Sequence, residues 1–169
     1  MAHPLEEVIR NAEGFVVIGD SSQGRFPAQS FHCYTQVGKK FYCLDLGGLT
    51  ESRGASSGKR VYTSVAELPD DRCDLAVIWV KPRSAANAVD VAHEAGCKRV
   101  WFSFGTGHRD AVARANELGM EVVEVGRCPV YYMDRMTPAC RAHTVLVKLS
   151  GTYRKPPRTE ATGKHREMW

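Results

Sequence analysis

The residues able to do chemistry in this chain gather where short apolar runs end. The first run leads into GDSSQGRFP, residues 19–27, which places two glycines, two serines and an arginine within nine positions. That composition suits an anion. Glycine admits close backbone approach, N–H groups at a helix start point outward, and the helix dipole adds about 0.3–1 kcal/mol of attraction for negative charge. Arg25 can add a bidentate phosphate contact. A plain tight turn is the alternative reading. Ser21 stands two residues after Gly19, so Gly19 and Gly24 do not form G-x-G-x-x-G, and no Gly-Lys-Ser/Thr ending makes a P-loop. Asp45 follows Gly24 by 21 residues, near the offset of an acid that binds a ribose 2′-hydroxyl, which keeps a nicotinamide cofactor open.

Other reactive types are scattered. Cysteines at 33, 43, 73, 97, 128 and 140 show no C-x-x-C or C-x-x-H pair, so no zinc site is expected. Cys43 and Cys73 lie in or beside apolar runs and read as buried thiols. Cys128, between Arg127 and Pro129, is the most interesting of the six: it could form a mixed disulfide with a ligand thiol, its thiolate favoured by the neighbouring guanidinium, with a packed structural cysteine as the commoner alternative. His108 beside Arg109 at a helix start allows a catalytic reading, with a solvent-facing histidine as the commoner alternative. Local motifs assemble neither a Ser-His-Asp set nor paired carboxylates.

Five apolar runs must position these residues: 15–18, 41–46, 75–80, 100–104 and 120–125. They lack sustained polar alternation and are bounded by Gly, Pro or Asp, as buried parallel strands are. Helical segments are expected between them. Residues 27–37 open on Pro27 and stop at Gly38; Ser64 to Glu67 reads as a capping box ended by Pro69; 84–95 stops at Gly96 and 109–118 at Gly119. This order predicts an α/β, Rossmann-like, doubly wound parallel five-stranded sheet, most simply in the order 3-2-1-4-5, with ligands beyond the carboxyl ends of the strands. Residues 50–59 read as a polar loop, and the partial alternation of 142–149 suggests an extra C-terminal edge strand.

A chain of 169 residues, 43% hydrophobic and 25% charged, is the size of one domain with one core. Residues 153–169 hold Arg154, Lys155, Arg158, Lys164 and Arg166 against Glu160 and Glu167, so the tail carries most of the formal charge of +4. The expected division is therefore a domain over 1–152 and a basic, disordered tail over 153–169. Residues 1–14 lack the apolar stretch of a signal peptide, and nowhere do 18 apolar residues run together. A cytoplasmic protein without membrane spans is expected.

The runs FVVIGDSSQGRFP, FYCLDLGG, GKRVYTSVAELP, DLAVIWVKP, VWFSFGTG and EVVEVGRCPVYY, in this order across about residues 12–132, resemble the small CoA-binding-domain family. That family is similar in turn to the CoA-binding amino-terminal domain of the succinyl-CoA synthetase alpha subunit. The resemblance implies coenzyme A as the cofactor. Its diphosphate would meet Gly19, Ser21, Ser22, Gln23, Gly24 and Arg25, and the rest of the molecule would meet Asp45, Leu46, Val80, Lys81, Pro82, Ser103, Phe104, Gly105 and Cys128. Arg53 or Lys59 could reach the 3′-phosphate, with a solvated surface charge as the equal alternative. CoA or a short acyl-CoA is thus the expected partner, with no catalytic residues, no membrane and no specific nucleic acid, and with self-association or a partner enzyme subunit left open. An NAD(P)-dependent enzyme using Asp45, and a nucleic-acid or protein binder using the tail, are the alternatives.

Overall fold

A computed structural model describes residues 2–26, 33, 34, 38–53, 58–71 and 73–161. Five strands, β1 (Gly14–Gly19), β2 (Lys40–Asp45), β3 (Leu75–Trp79), β4 (Arg99–Phe102) and β5 (Glu121–Val125), form one parallel sheet in the order 2-1-3-4-5. Four helices accompany it: α1 (Pro4–Asn11), α2 (Ala85–Glu94), α3 (Arg109–Glu117) and α4 (Pro138–Leu149). The α/β doubly wound class is as expected; the strand order is not 3-2-1-4-5, because β3 lies on the far side of β1. The cause is visible at the edge of β2. The Tyr62 amide donates to the Cys43 carbonyl and Asp45 donates to Tyr62, so the 61–62 segment occupies the place where β3 was expected. The chain then crosses one face, with Val65 and Leu68 packed on it, and enters the sheet beyond β1.

Strand residues alternate between two cores, as a period of two requires. Val16, Ile18, Ala76, Ile78, Val100 and Phe102 face α2 and α3, whose contact stripes are largely alanine (Ala85, Ala88, Ala92, Ala111, Ala115) and so admit close approach. Phe15, Val17, Leu75, Val77 and Trp101 face Leu5 and Ile9 of α1 and the Pro129–Tyr132 turn. The strands are apolar on both faces because both are covered. Burial pushes the Cys73 thiol up to about 11 and Cys33 and Cys43 upward as well, which makes these inert core thiols.

Several local expectations change. Residues 4–11, unassigned from sequence, form α1 because His3 and Glu6 make a reciprocal capping box around Pro4. The Ser64–Glu67 box becomes a 3-10 turn, with Thr63 Oγ1 and Ser64 Oγ both donating to Glu67 Oε1. The edge strand expected over 142–149 is part of α4, started by the Thr137 side chain and Pro138. The tail expected to be disordered is packed through 161: Thr152–Arg154 is a 3-10 turn, Tyr153 stacks on Tyr132 at 4.9 Å, and Ala161 reaches the core. Of the helix expected over 27–37, only Cys33 and Tyr34 are described, both helical and buried. Its remainder lies outside the described residues, as do 162–169. No helix among the described residues is long and apolar enough to cross a membrane.

Asp74 joins the starts of three strands: its carboxylate accepts from the Arg99 guanidinium and, at 2.9 Å, from the Glu13 amide beside β1. Burial acts to raise its pKa, but Arg99 and the Glu13 and Gly14 amides outweigh it and hold the group below its ordinary value of 3.8. A depressed folded-state pKa contributes stability above that ordinary value, and the contribution is lost as pH falls through the folded one. Asp74→Asn is therefore expected to flatten the acid limb of a melting-temperature profile below about pH 4. An unchanged limb would show that Asp74 is not a principal titrating group.

Candidate functional site

Parallel pairing aligns the ends of three strands: Gly19 of β1 is opposite Asp45 of β2 and Trp79 of β3. Just beyond lies the Asp20–Arg25 loop, which is tied down by two buried carboxylates. Asp45 is fully buried and accepts from the Ser21 amide at 2.7 Å, Ser21 Oγ at 2.6 Å and the Leu49 amide at 2.8 Å. Asp20 accepts from Ser22 Oγ at 2.5 Å and Gln23 Nε2 at 2.6 Å, and its backbone pairs with Arg25 in both directions. Gln23 Nε2 also donates to Ser84 Oγ at 2.8 Å, linking this loop to the turn after β3.

This network differs from the expected cradle of outward amides. The Ser21, Gln23, Gly24 and Arg25 amides donate to Asp45, Asp20 and Ser21, so these four do not point outward. Asp45 faces inward and cannot also meet a ribose. The short residues have a steric role: a Cβ on Gly47 would lie 2.4 Å from the Ser22 amide nitrogen and 2.5 Å from Ser21 Oγ. Gly24 closes the turn at φ 69°, where a side chain would be strained.

Arg25 brings a guanidinium to these strand ends. Its guanidinium lies 5.8 Å from the Trp79 ring centroid, and a Cβ on Gly105 would come within 3.1 Å of Nη2. One side chain thus spans the tips of β1, β3 and β4. Lys81 and Pro82 follow at the β3 tip, both half-buried, whereas Val80 and Ser103 are buried and present little but backbone. Leu46 is half-buried against the core, and its amide donates to the Gly19 carbonyl. Phe104 is 42% exposed, an uncovered aromatic at the β4 tip. Arg53 and Lys59 stand exposed on either side of 54–57, which lie outside the described residues.

Beside Arg25, a pocket of about 180 Å³ opens between these tips and α4. Trp79, Phe104, Val130 and Tyr131 make it mainly apolar, with Ser103, Cys128, Cys140 and His143 also on its wall. Burial, with the Cys128 and Cys140 thiols alongside, pushes the Tyr131 hydroxyl above its ordinary range. A larger pocket of about 310 Å³, next to the start of β2, carries Glu6 and Asp134 as well as Arg10, Lys39 and Arg135, a mixture that favours neither sign. His108 caps α3 by accepting from the Asp110 amide at 3.3 Å, a structural duty. The described residues hold no cluster of histidine, cysteine and carboxylate suited to a metal.

Of the residues predicted from sequence, Ser103, Phe104 and Cys128 meet in the pocket and Arg25 and Gly105 meet beside it. Arg127 does not serve Cys128: its guanidinium turns to buried Glu124, the Tyr132 hydroxyl and three backbone carbonyls. Trp79, Tyr131, Cys140 and His143 were missed. Trp79 is signalled by its place at the end of an apolar run; an edge strand over 142–149 conceals the helical i+3 spacing of Cys140 and His143.

Comparison with known proteins gives the following. A family model described as CoA binding domain matches residues 13–133. No curated protein matches the chain. Among solved structures, a hypothetical protein from Pyrococcus horikoshii OT3 superposes with a TM-score of 0.63 at 25% identity, covering 76% of this chain and 86% of that one. A conserved hypothetical protein from Pyrococcus furiosus gives 0.52 at 24% identity, covering 70% and 97%. The dinucleotide forming acetyl-coenzyme A synthetase 1 of Ca. Korarchaeum cryptofilum gives 0.53 at 22% identity over 72% of this chain, but only 27% of the synthetase, and shares the fold.

Proposed function

This chain belongs to the CoA binding domain family, and on that premise we propose that it binds coenzyme A, or a short acyl-CoA, across the carboxyl ends of β1, β3 and β4 without catalytic machinery of its own. The observation that carries the reading is the placement of Arg25, a guanidinium poised between Trp79 and Gly105 where three strand tips meet. Its planar fork matches a diphosphate. Lys81 supplies a second positive charge, and Trp79 and Phe104 offer apolar surface to the pantetheine arm. Gln23 Oε1, buried at this end of the sheet without a partner, is an acceptor that a ligand N–H or hydroxyl would satisfy.

The rival use of the crevice by NAD(P) depended on Asp45, whose oxygens already hold Ser21 and Leu49. Of the five basic residues on which the tail rival draws, Arg158 lies beside Glu124 with Nε 3.9 Å from Oε1. Calorimetric titration of the reduced protein with CoA and with NAD tests the reading. Saturable heat with CoA and none with NAD is expected, and NAD binding in the absence of CoA binding would overturn it.

A further inference from the structure

The pocket beside Arg25 holds more chemistry than a passive wall needs. Cys140 stands in the first turn of α4, and His143 follows at i+3 on the same helical face, so thiol and imidazole line one pocket. His143 is placed by Tyr131, whose hydroxyl lies within 3.4 Å of the ring and whose own ring meets it edge-on at 5.2 Å between centroids. Cys128 faces the same space. Cys33, behind Cys140 and in side-chain contact with it, is fully buried and accepts from the Thr137 amide at 3.4 Å, so an incoming ligand meets Cys140 first. Trp79 both carries the Arg25 guanidinium and forms part of the pocket wall. A ligand with phosphates at Arg25 and an apolar arm along Trp79 therefore ends among these groups.

We infer that Cys140 is a thiol–disulfide exchange site for the disulfide form of CoA, with His143 as the proton acceptor. This rests on the reading of the crevice as a CoA site. In the step, the Cys140 thiol gives its proton to His143 and its sulfur attacks one sulfur of the ligand disulfide. A Cys140–CoA disulfide forms, the ligand S–S bond breaks, and the departing CoA thiolate takes the proton back from His143. The protein thiol is oxidised and one half of the CoA disulfide is reduced, so no further reagent is consumed. Cys140 and His143 lie well outside the loop bonded to Asp45, so their substitution leaves that loop intact.

The experiment treats fully reduced protein with CoA disulfide or glutathione disulfide and follows adducts by intact mass and peptide mapping. One adduct at Cys140 is expected, forming about tenfold faster with CoA disulfide than with glutathione disulfide and slowed by excess reduced CoA. Cys140→Ser removes it. His143→Gln, which leaves the thiol in place, slows it by about tenfold at neutral pH and flattens its dependence on pH. Labelling of Cys128 instead, or equal rates with the two disulfides, overturns the inference. Calorimetry with reduced CoA separates the two levels: CoA binding without a Cys140 adduct sinks this inference alone, whereas absence of CoA binding sinks the reading on which it rests.

Discussion

An Arg127→Met variant is expected to lose about 3–5 kcal/mol of stability in urea denaturation, the usual consequence of stranding one member of a buried ion pair. Arg127 is 3% exposed and Glu124 is not exposed at all. The guanidinium pairs with Glu124 and donates to the Tyr132 hydroxyl at 3.0 Å and to the carbonyls of Lys155 and Pro156 at 2.7 Å each. Methionine fills similar space yet leaves a carboxylate in the interior and two strong acceptors unserved. Arg158 compensates only in part: its amide donates to Glu124 Oε2 at 2.9 Å, while its Nε lies 3.9 Å from Oε1 on a side chain that is half exposed. Adding Glu124→Leu to the variant is expected to restore part of the loss by removing the stranded charge, but not all of it, because the carbonyls of the 152–158 segment remain unpaired. A loss under about 1 kcal/mol in the single variant would mean that the pair contributes little and that Tyr153, stacked on Tyr132, holds the segment by itself.

The same pair shows how much of the fold could be read in advance. Five strands and the helices over 85–94 and 109–117 follow from period and punctuation alone, since apolar runs that are buried on both faces leave no other placement for Leu75–Trp79 or Arg99–Phe102. Strand order was not legible. It depends on which edge of β2 Tyr62 occupies, a backbone contact that residue types do not encode. Nor was the packing of 153–161: Arg154, Lys155 and Pro156 look like a solvated tail until the buried Arg127 supplies donors for the carbonyls of Thr152, Lys155 and Pro156, and that partner lies 25 or more residues away in sequence. The 142–149 segment resembles a strand because Thr144, Leu146 and Lys148 alternate with apolar neighbours, while the stronger signal, Thr137 followed by Pro138 at a helix start, lies just upstream.

At the site, residue types were better guides to location than to duty. Asp45 was found by its offset from Gly24, yet the acid that seemed to face a ribose turns inward to hold Ser21. Cys128 was singled out for the arginine next to it, but neighbours in sequence at a strand end point in different directions: Arg127 goes to Glu124 and Cys128 to the pocket. Gly105 and Arg25, 80 positions apart, were each noted alone, and only the parallel pairing of β1, β3 and β4 brings them together.

That meeting sets the last expectation. Arg25→Ala is predicted to weaken CoA binding by about 10- to 100-fold, the effect of losing a charge-assisted contact worth about 1.5–3 kcal/mol, while the melting temperature moves little. Stability should be spared because the loop is held by Asp20 and Asp45, and Arg25 joins it through backbone bonds to Asp20 that alanine keeps. What the side chain gives the folded state beyond this includes its position over Trp79, about 0.5–1 kcal/mol at a partly exposed site. Arg25→Lys keeps the charge but not the fork, so it should recover only part of the affinity. Calorimetry paired with thermal melts tells binding from support. Unchanged affinity in Arg25→Ala would move the diphosphate away from this loop and leave Lys81 as the cation to test, whereas equal losses of affinity and stability would recast Arg25 as a strut between Trp79 and Gly105.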